Sequence, residues 1–193
     1  MIRIAFRIVL KIYIFLKRMI FNVASDINII GQDYIIHQPQ LRTGKGIINC
    51  GKGVQFGIPF RKGFFDSITY LNLRKDTSEL TIGDNVIINN NFSVSSAGGK
   101  IEIGKKTLIG NNVSIFDSDF HSIDPKSRLS DNYSIKNVKI GSNVWLGNDC
   151  KILKGVTIGE NSIVAINSVV KNDIPKNCIA AGNPAVVVKY IEV

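Results

Sequence analysis

The chain has 193 residues, 45% of them hydrophobic, with 17 glycines and only 5 prolines, which excludes a disordered polymer and suffices for one domain with a sizeable core. Its formal net charge of +9 calls for an anionic partner: a membrane surface, a phosphorylated cofactor, an acidic polymer or nucleic acid. Cys50, Cys150 and Cys178 are an odd, widely spaced set, which excludes a disulfide framework and a CxxC metal motif and makes a reducing, cytoplasmic compartment the expectation.

The first element, MIRIAFRIVLKIYIFLKRMIFNVASD, places Arg3, Arg7 and Lys11 four residues apart, with Arg18 on the same face and Lys17 beside it. Charges interleaved in this way spoil a transmembrane span and a secretory signal. The spacing predicts a basic amphipathic helix over residues 1–24. One of its faces suits lipid headgroups, or packs on the rest of the protein or its oligomer.

A second pattern fills residues 25–175. Ile48, Cys50, Val54 and Phe56 open it irregularly, and GIPFRKGFF interrupts it near residues 57–66. Ile82, Ile88 and Val94 then stand six apart, each preceded at two residues by Leu80, Val86 and Phe92. Ile103, Ile109 and Ile115 repeat the arrangement with Ile101, Thr107 and Val113. After a break at residues 117–137 it runs on through Ile140, Leu146, Ile152, Ile158, Val164 and Val170. Their partners two residues earlier are Val138, Val144, Cys150, Val156, Ser162 and Ser168. A six-residue period fits neither a helix nor a long strand. It fits a short strand and a turn, three such sides closing one coil of a parallel β-helix. The aliphatic points into the prism, and so does the residue two before it, because strand side chains alternate. Gly or Asn after the aliphatic suits a turn that needs positive φ.

Residues 140–191, from IGSNVWLGNDC through AAGNPAVVVKYI, closely resemble the C-terminal half of hexapeptide-repeat acyltransferases. The similarity runs over about residues 80–191, with the repeat, a histidine loop and the AAGNPA ending in the family's order. The DSDFHSI loop and the basic balance look most like bacterial capsule O-acetyltransferases, especially those that modify polysialic acid. The resemblance implies an all-β fold, a left-handed parallel β-helix with a protruding active-site loop. It also implies a homotrimer with active sites between subunits, acetyl-CoA as donor and no metal.

Transfer of an acetyl group from a thioester to a hydroxyl needs a base, and imidazole suits the task near neutral pH. The resemblance places the catalytic histidine at His121. Asp119 is one candidate to orient it; a backbone carbonyl is another, and Asp117, Asp119 and Asp124 also suit capping of turns. Trp145 alternates out of the coil, and its indole N–H could meet an oxyanion or the thioester carbonyl. The resemblance often has an aromatic near the active site here; packing at a subunit interface is the other reading. Cys150 holds an inward position and reads as core, and Cys178 has no histidine nearby, so direct attack by the acceptor hydroxyl is expected without an acyl-enzyme.

The resemblance threads the pantetheine arm past small residues, here Gly147 and Ala165. It keeps a basic residue at Lys171, which with Lys189 near the C-terminus is a candidate for the phosphates, and it nominates Ala181, Gly182 and Pro184 for the adenine, so that residues 176–193 contribute to CoA binding; each lysine reads equally as a solvated surface charge. Lys126 and Arg128 in the histidine loop, with Arg61 and Lys62 in the earlier break, suit a carboxylate-bearing sugar such as sialic acid. An acidic polysaccharide is therefore the expected acceptor, with another small sugar or an antibiotic as the alternative. A γ-type carbonic anhydrase is excluded because only His37 and His121 are present where three ligands are needed. Nucleic-acid binding lacks a module and interleaved aromatics. A non-catalytic scaffold in capsule assembly would leave the histidine loop without a use.

Overall fold

The structure, a computed structural model, describes residues 2–192 and, within the first helix, side chains from Phe6 onward. A single helix, α1 (Ile2–Val23), is followed by short strands that build three sheets, one for each side of a prism. The first side stacks Ile29–Gly31, Ile47–Cys50, Glu79–Ile82, Lys100–Ile103, Val138–Ile140 and Thr157–Ile158. The second stacks Ile35–Ile36, Gln55–Phe56, Ile87–Ile88, Leu108–Ile109, Trp145–Leu146, Ile163–Val164 and Cys178–Gly182. The third stacks Gln40–Gly44, Thr69–Leu73, Ser93–Ser96, Ser114–Phe116, Lys151–Ile152 and Val169–Val170. The three stacks make a parallel β-helix, and the chain has its left-handed form.

Register explains why the period is six. Phe56, Ile88, Ile109, Leu146, Val164 and Ala180 lie directly above one another on the second side. Cys50, Ile82, Ile103, Ile140 and Ile158 do so on the first, and Leu71, Val94, Ile115, Ile152 and Val170 on the third. All of these side chains are buried, as are the partners two residues before them. Burying each large aliphatic stabilises the fold by about 1.5–3 kcal/mol. The serines among the partners are satisfied inside: the Ser162 hydroxyl donates to the Pro175 carbonyl at 2.7 Å, and Ser168 Oγ accepts from the Gly182 N–H at 3.1 Å.

The turn chemistry differs from the expectation. The left-handed residues are not those after the aliphatic but those three before it: Asn85, Asn91, Lys106, Asn112, Asn143, Asp149, Asn161 and Asn167 have φ between 56° and 61°. Asparagine tolerates that conformation, and its amide adds a ladder between coils. Asn91 Nδ2 donates to Asn112 Oδ1 at 2.9 Å, and Asn112 Nδ2 to Asp149 Oδ1 at 2.7 Å. The glycines after the aliphatics answer a different need. A Cβ on Gly141 would sit 2.6 Å from the Glu160 nitrogen, and one on Gly147 2.6 Å from the Ile166 nitrogen. Stacked corners approach too closely there for any side chain.

The two ends of the prism are built differently. After Val170 the chain makes a bridge from Ile174 to Ile158, adds Cys178–Gly182 in parallel, and reverses at Asn183–Pro184. Ala185–Tyr190 then pairs antiparallel with Cys178–Gly182, a hairpin that the six-residue period does not foretell. At the other end α1 packs over the first coil. Ile14 is its buried anchor, Lys17 Nζ donates to the Phe65 carbonyl at 3.3 Å, and Arg42 Nη2 donates to Asn22 Oδ1 at 2.6 Å. Much of its apolar surface still faces outward, through Phe6, Val9, Ile12, Leu16, Met19 and Ile20. The Arg3 side chain lies outside the described residues. No described helix is long and apolar enough to cross a membrane.

Leu146 is fully buried in the middle of its ladder, so Leu146→Ala should lower the unfolding free energy by about 2–5 kcal/mol. Equilibrium denaturation monitored by circular dichroism measures it.

Candidate active site

The loop that carries His121 leaves the third side at Phe116 and rejoins the first at Val138. Its root is fixed by Asp117, which is fully buried. Asp117 Oδ2 accepts from Ser96 Oγ at 2.6 Å and from the Gly99 N–H at 2.8 Å, while Oδ1 accepts from the Ala97 N–H at 2.8 Å. A short antiparallel bridge between Ser118 and Ile135 and the bond from the Lys136 N–H to the Asp117 carbonyl at 2.8 Å close its neck. Asp124 caps the 3-10 turn Pro125–Ser127, accepting from the Lys126 N–H at 3.0 Å.

At the tip, His121 is exposed, and its Nδ1 lies 3.1 Å from the Arg128 carbonyl oxygen. A carbonyl can only accept, so Nδ1 carries the proton and Nε2 of the neutral ring is left as the acceptor. The ring is therefore oriented by backbone and not by Asp119. The Asp119 carboxylate is taken by Lys154, whose Nζ lies 3.1 Å away; it anchors the loop to the next coil, and the expectation that it orients the histidine is corrected on that ground.

Basic and aromatic groups missed in the sequence complete the loop's surroundings. The Arg74 guanidinium stands 4.5 Å from the centre of the Phe120 ring, and Lys75 Nζ 5.8 Å from that of Tyr133. Both cations follow the strand Thr69–Leu73, two coils below the point where the loop departs. Counting coils from Phe116 through Ser95 to Asn72 is the signal that would have found them. Lys126 and Arg128 are exposed on the loop itself.

The remaining candidates lie elsewhere on the prism. Trp145 projects from the outer face of the second side, 53% exposed, with Leu108 and Ile163 as its neighbours in register. That outward row continues to Ile179 and Lys189, beside a surface depression of about 460 Å³. Gly147, Ala165 and Ala181 follow the stacked aliphatics Leu146, Val164 and Ala180, one above another at the corner between the second and third sides. Gly182 and Pro184 form the hairpin turn, and Lys171 is exposed after Val170. Arg61, with Lys62, sits in the loop between Phe56 and Thr69, at that same corner; Asn90 and Asn111 staple the loop through the Lys62 carbonyl at 3.1 and 2.9 Å.

The geometry therefore separates the candidates into two groups. His121, Lys126 and Arg128 stand at the corner between the third and first sides, and so does Lys171, which follows Val170 of the third side. Trp145, Gly147, Ala165, Ala181, Lys189 and Arg61 belong to the second side and its far corner. One prism does not bring them together. A concavity of about 530 Å³ lies on the first side along Gly83, Gly104, Gly141 and Gly159, again a column the sequence displays only once the coils are counted. None of the cysteines is placed for catalysis. Burial pushes the Cys50 thiol up to about 12 and raises that of Cys150, and Cys178 is fully buried.

Three comparisons bear on this arrangement. Residues 137–172 match the family described as bacterial transferase hexapeptide (six repeats). A putative lipopolysaccharide biosynthesis O-acetyl transferase of Escherichia coli, WbbJ, is 32% identical over 163 residues, 80% of this chain and 78% of that protein. The putative acetyltransferase YJL218W of Saccharomyces cerevisiae is 43% identical over 114 residues, 59% of this chain, so the match spans 57% of that relative's length. Among solved structures, a hexapeptide-repeat acetyltransferase of Vibrio cholerae in complex with acetyl coenzyme A superposes with a TM-score of 0.59, at 26% identity, over 92% of this chain and 75% of the other.

Asp117→Ala would strand the N–H groups of Ala97 and Gly99 in the interior, at about 1–3 kcal/mol each. Limited proteolysis should then cut within residues 118–136 much faster than in the parent chain, while the hexad core stays protected.

Proposed function

The chain belongs to the hexapeptide-repeat acyltransferases, and on that premise we propose that it moves an acetyl group from acetyl-CoA to a hydroxyl of an acidic sugar polymer of the polysialic acid kind. The observation that carries the reading is the Nδ1 contact of His121 with the Arg128 carbonyl, 3.1 Å long, which leaves Nε2 free to take a proton. In the reaction Nε2 removes the proton from the acceptor hydroxyl as its oxygen attacks the thioester carbonyl carbon. The tetrahedral intermediate collapses with loss of the CoA thiolate, and the imidazolium returns the proton to that sulfur. No covalent enzyme intermediate is involved.

The separation of the two groups of residues across one prism supports a homotrimer in which the His121 loop of one subunit faces the second side of its neighbour. The neighbour then supplies Trp145, whose indole N–H donates to the developing oxyanion. The pantetheine arm runs along the corner of Gly147 and Ala165, with Lys189 and, from the subunit that supplies His121, Lys171 on the phosphates, and Ala181, Gly182 and Pro184 beside the adenine. Lys126 and Arg128 bind acceptor carboxylates, joined by Arg74 and Lys75 beneath the loop and by Arg61 from the neighbouring subunit. The helix α1, which exposes apolar residues and carries only basic charges, rests on an anionic membrane surface on the cytoplasmic side.

With acetyl-CoA and a sugar panel that includes polysialic acid, acceptor-dependent thiol release should fall by about 10²–10⁴ in His121→Ala, and undiminished release would remove the mechanism. Asp119→Ala should retain activity within about tenfold, because Asp119 acts on Lys154 and not on the imidazole. A tenfold or greater preference for polysialic acid over neutral sugars, weakened by added salt, is expected; equal rates would refute the acidic acceptor. Light scattering should give three times the chain mass.

A further inference from the structure

Where α1 covers the first coil, the inward register is occupied by the wrong kind of residue for a core. Arg42 stands level with Leu71 and Gln40 with Thr69, and each is only 4% exposed. Arg42 has one side-chain partner, Asn22 Oδ1 at 2.6 Å; its Nε has none, and it forms no salt bridge among the described residues. Gln40 leaves both Nε2 and Oε1 without a partner. The nearby Gln38 shows what a satisfied buried amide looks like in this fold. Its Nε2 donates to the Gly63 carbonyl and Ser67 Oγ at 2.7 and 3.0 Å. Its Oε1 accepts from Thr69 Oγ1 and the Asn91 N–H at 3.2 and 2.9 Å. Buried polar atoms are seldom abandoned, and a buried guanidinium without a counter-charge is the costliest kind.

The residues Gln40 and Arg42 line a half-open pocket of about 340 Å³ between α1 and the first coil, together with Arg18, Asn22, Phe15 and Met19, and their unpartnered atoms lie just beneath its wall. That is roughly ten times the share of one water molecule. No carboxylate lines it. Arg42 Nε, Gln40 Nε2 and Arg18 are donors suited to an oxyanion, and Gln40 Oε1 is an acceptor that needs a hydroxyl. Burial holds the Arg42 guanidinium below its usual range, which an anion would reverse. A second cleft of about 290 Å³ shares Phe15 and Arg18, is walled by Phe60, Phe64 and Phe65, and carries Lys11 and His37 at its margin.

We propose that the cavity beneath α1 is a binding site for the phosphate ester of a polyol, with Arg42, Gln40 and Arg18 on the phosphate and Gln40 Oε1 on a free hydroxyl. The ester reaches the site either as a small molecule or as the headgroup of a lipid whose chain enters the aromatic cleft. The site is independent of the acetyl-transfer chemistry at His121.

Glycerol 3-phosphate is the probe for the first source, in calorimetric titration of the full chain. Vesicles of phosphatidylglycerol in phosphatidylcholine, against phosphatidylcholine alone, probe the second by co-sedimentation. Saturable binding in at least one arm is expected, weakened about tenfold or more in Gln40→Leu and in Arg42→Met. Arg42 is buried, so its loss leaves the outer charge of α1 intact. Binding that is unchanged in both variants in every arm that shows it would mean attraction by surface charge alone and overturn the site, as would no saturable binding in either arm. Without ligand, Gln40→Leu should melt no lower than the parent chain, because it removes two unpaired polar atoms and keeps the apolar stem. Thiol release by both variants should stay at the parent level when acetyl-CoA and acceptor are saturating.

Discussion

Parallel pairing of each coil with the next, in one unbroken register, is the constraint on which the rest of this molecule depends. Because every strand inside the stack is paired above and below, the backbone polar groups of the inner coils are satisfied along the axis. Side chains are then left to fill a narrow prism. Apolar side chains such as Ile140, Leu146 and Ile152 fill the centre of a side, and the residues two positions earlier, from Ser162 to Phe92, are buried beside them. At the corners, backbones come close enough that Gly141 and Gly147 admit no Cβ. Packing, turn geometry and the six-residue period are consequences of that one arrangement.

The same register determines where chemistry can occur. A closed coil has no spare length, so a functional side chain must stand on the outer face, as Trp145 does, or on an excursion from a corner, as His121 does. The excursion needs a firm root, and buried Asp117 provides it through three hydrogen bonds. Rigidity then passes outward through the Ser118–Ile135 bridge, the Asp119–Lys154 pair and the Asp124 cap to the carbonyl of Arg128. The acidic residues around the histidine are structural supports at successive distances from the prism, and none of them touches the ring.

How much of this could be read from residues alone follows the range of each interaction. The inward ladder was legible because its period is local and recurs many times. The turns were misassigned by position, since Gly141 and Asn143 both suit a corner and only the backbone tells which has positive φ. Asp119 was placed with His121 because they are neighbours in the chain, whereas its partner Lys154 arrives from the following coil. Arg74 and Lys75 reach the loop from two coils away, and the polar cavity under α1 joins segments that share no sequence signal. The reversal of Ala185–Tyr190 likewise depends on pairing that no hexad announces.

The corner insertions at residues 57–68 and 117–137 leave the register on either side intact, and this sets the grain in which such a chain can change length. Three hexads make one coil, so adding or removing eighteen residues lengthens or shortens the prism by about 4.8 Å and keeps every outward residue on its own side. A change of six residues rotates everything beyond it by a third of a turn, carrying Trp145, for example, to a different side from Leu108. Evolutionary drift and deliberate engineering therefore face the same arithmetic: loops at corners are free to vary in length, whereas the shaft grows only in whole coils.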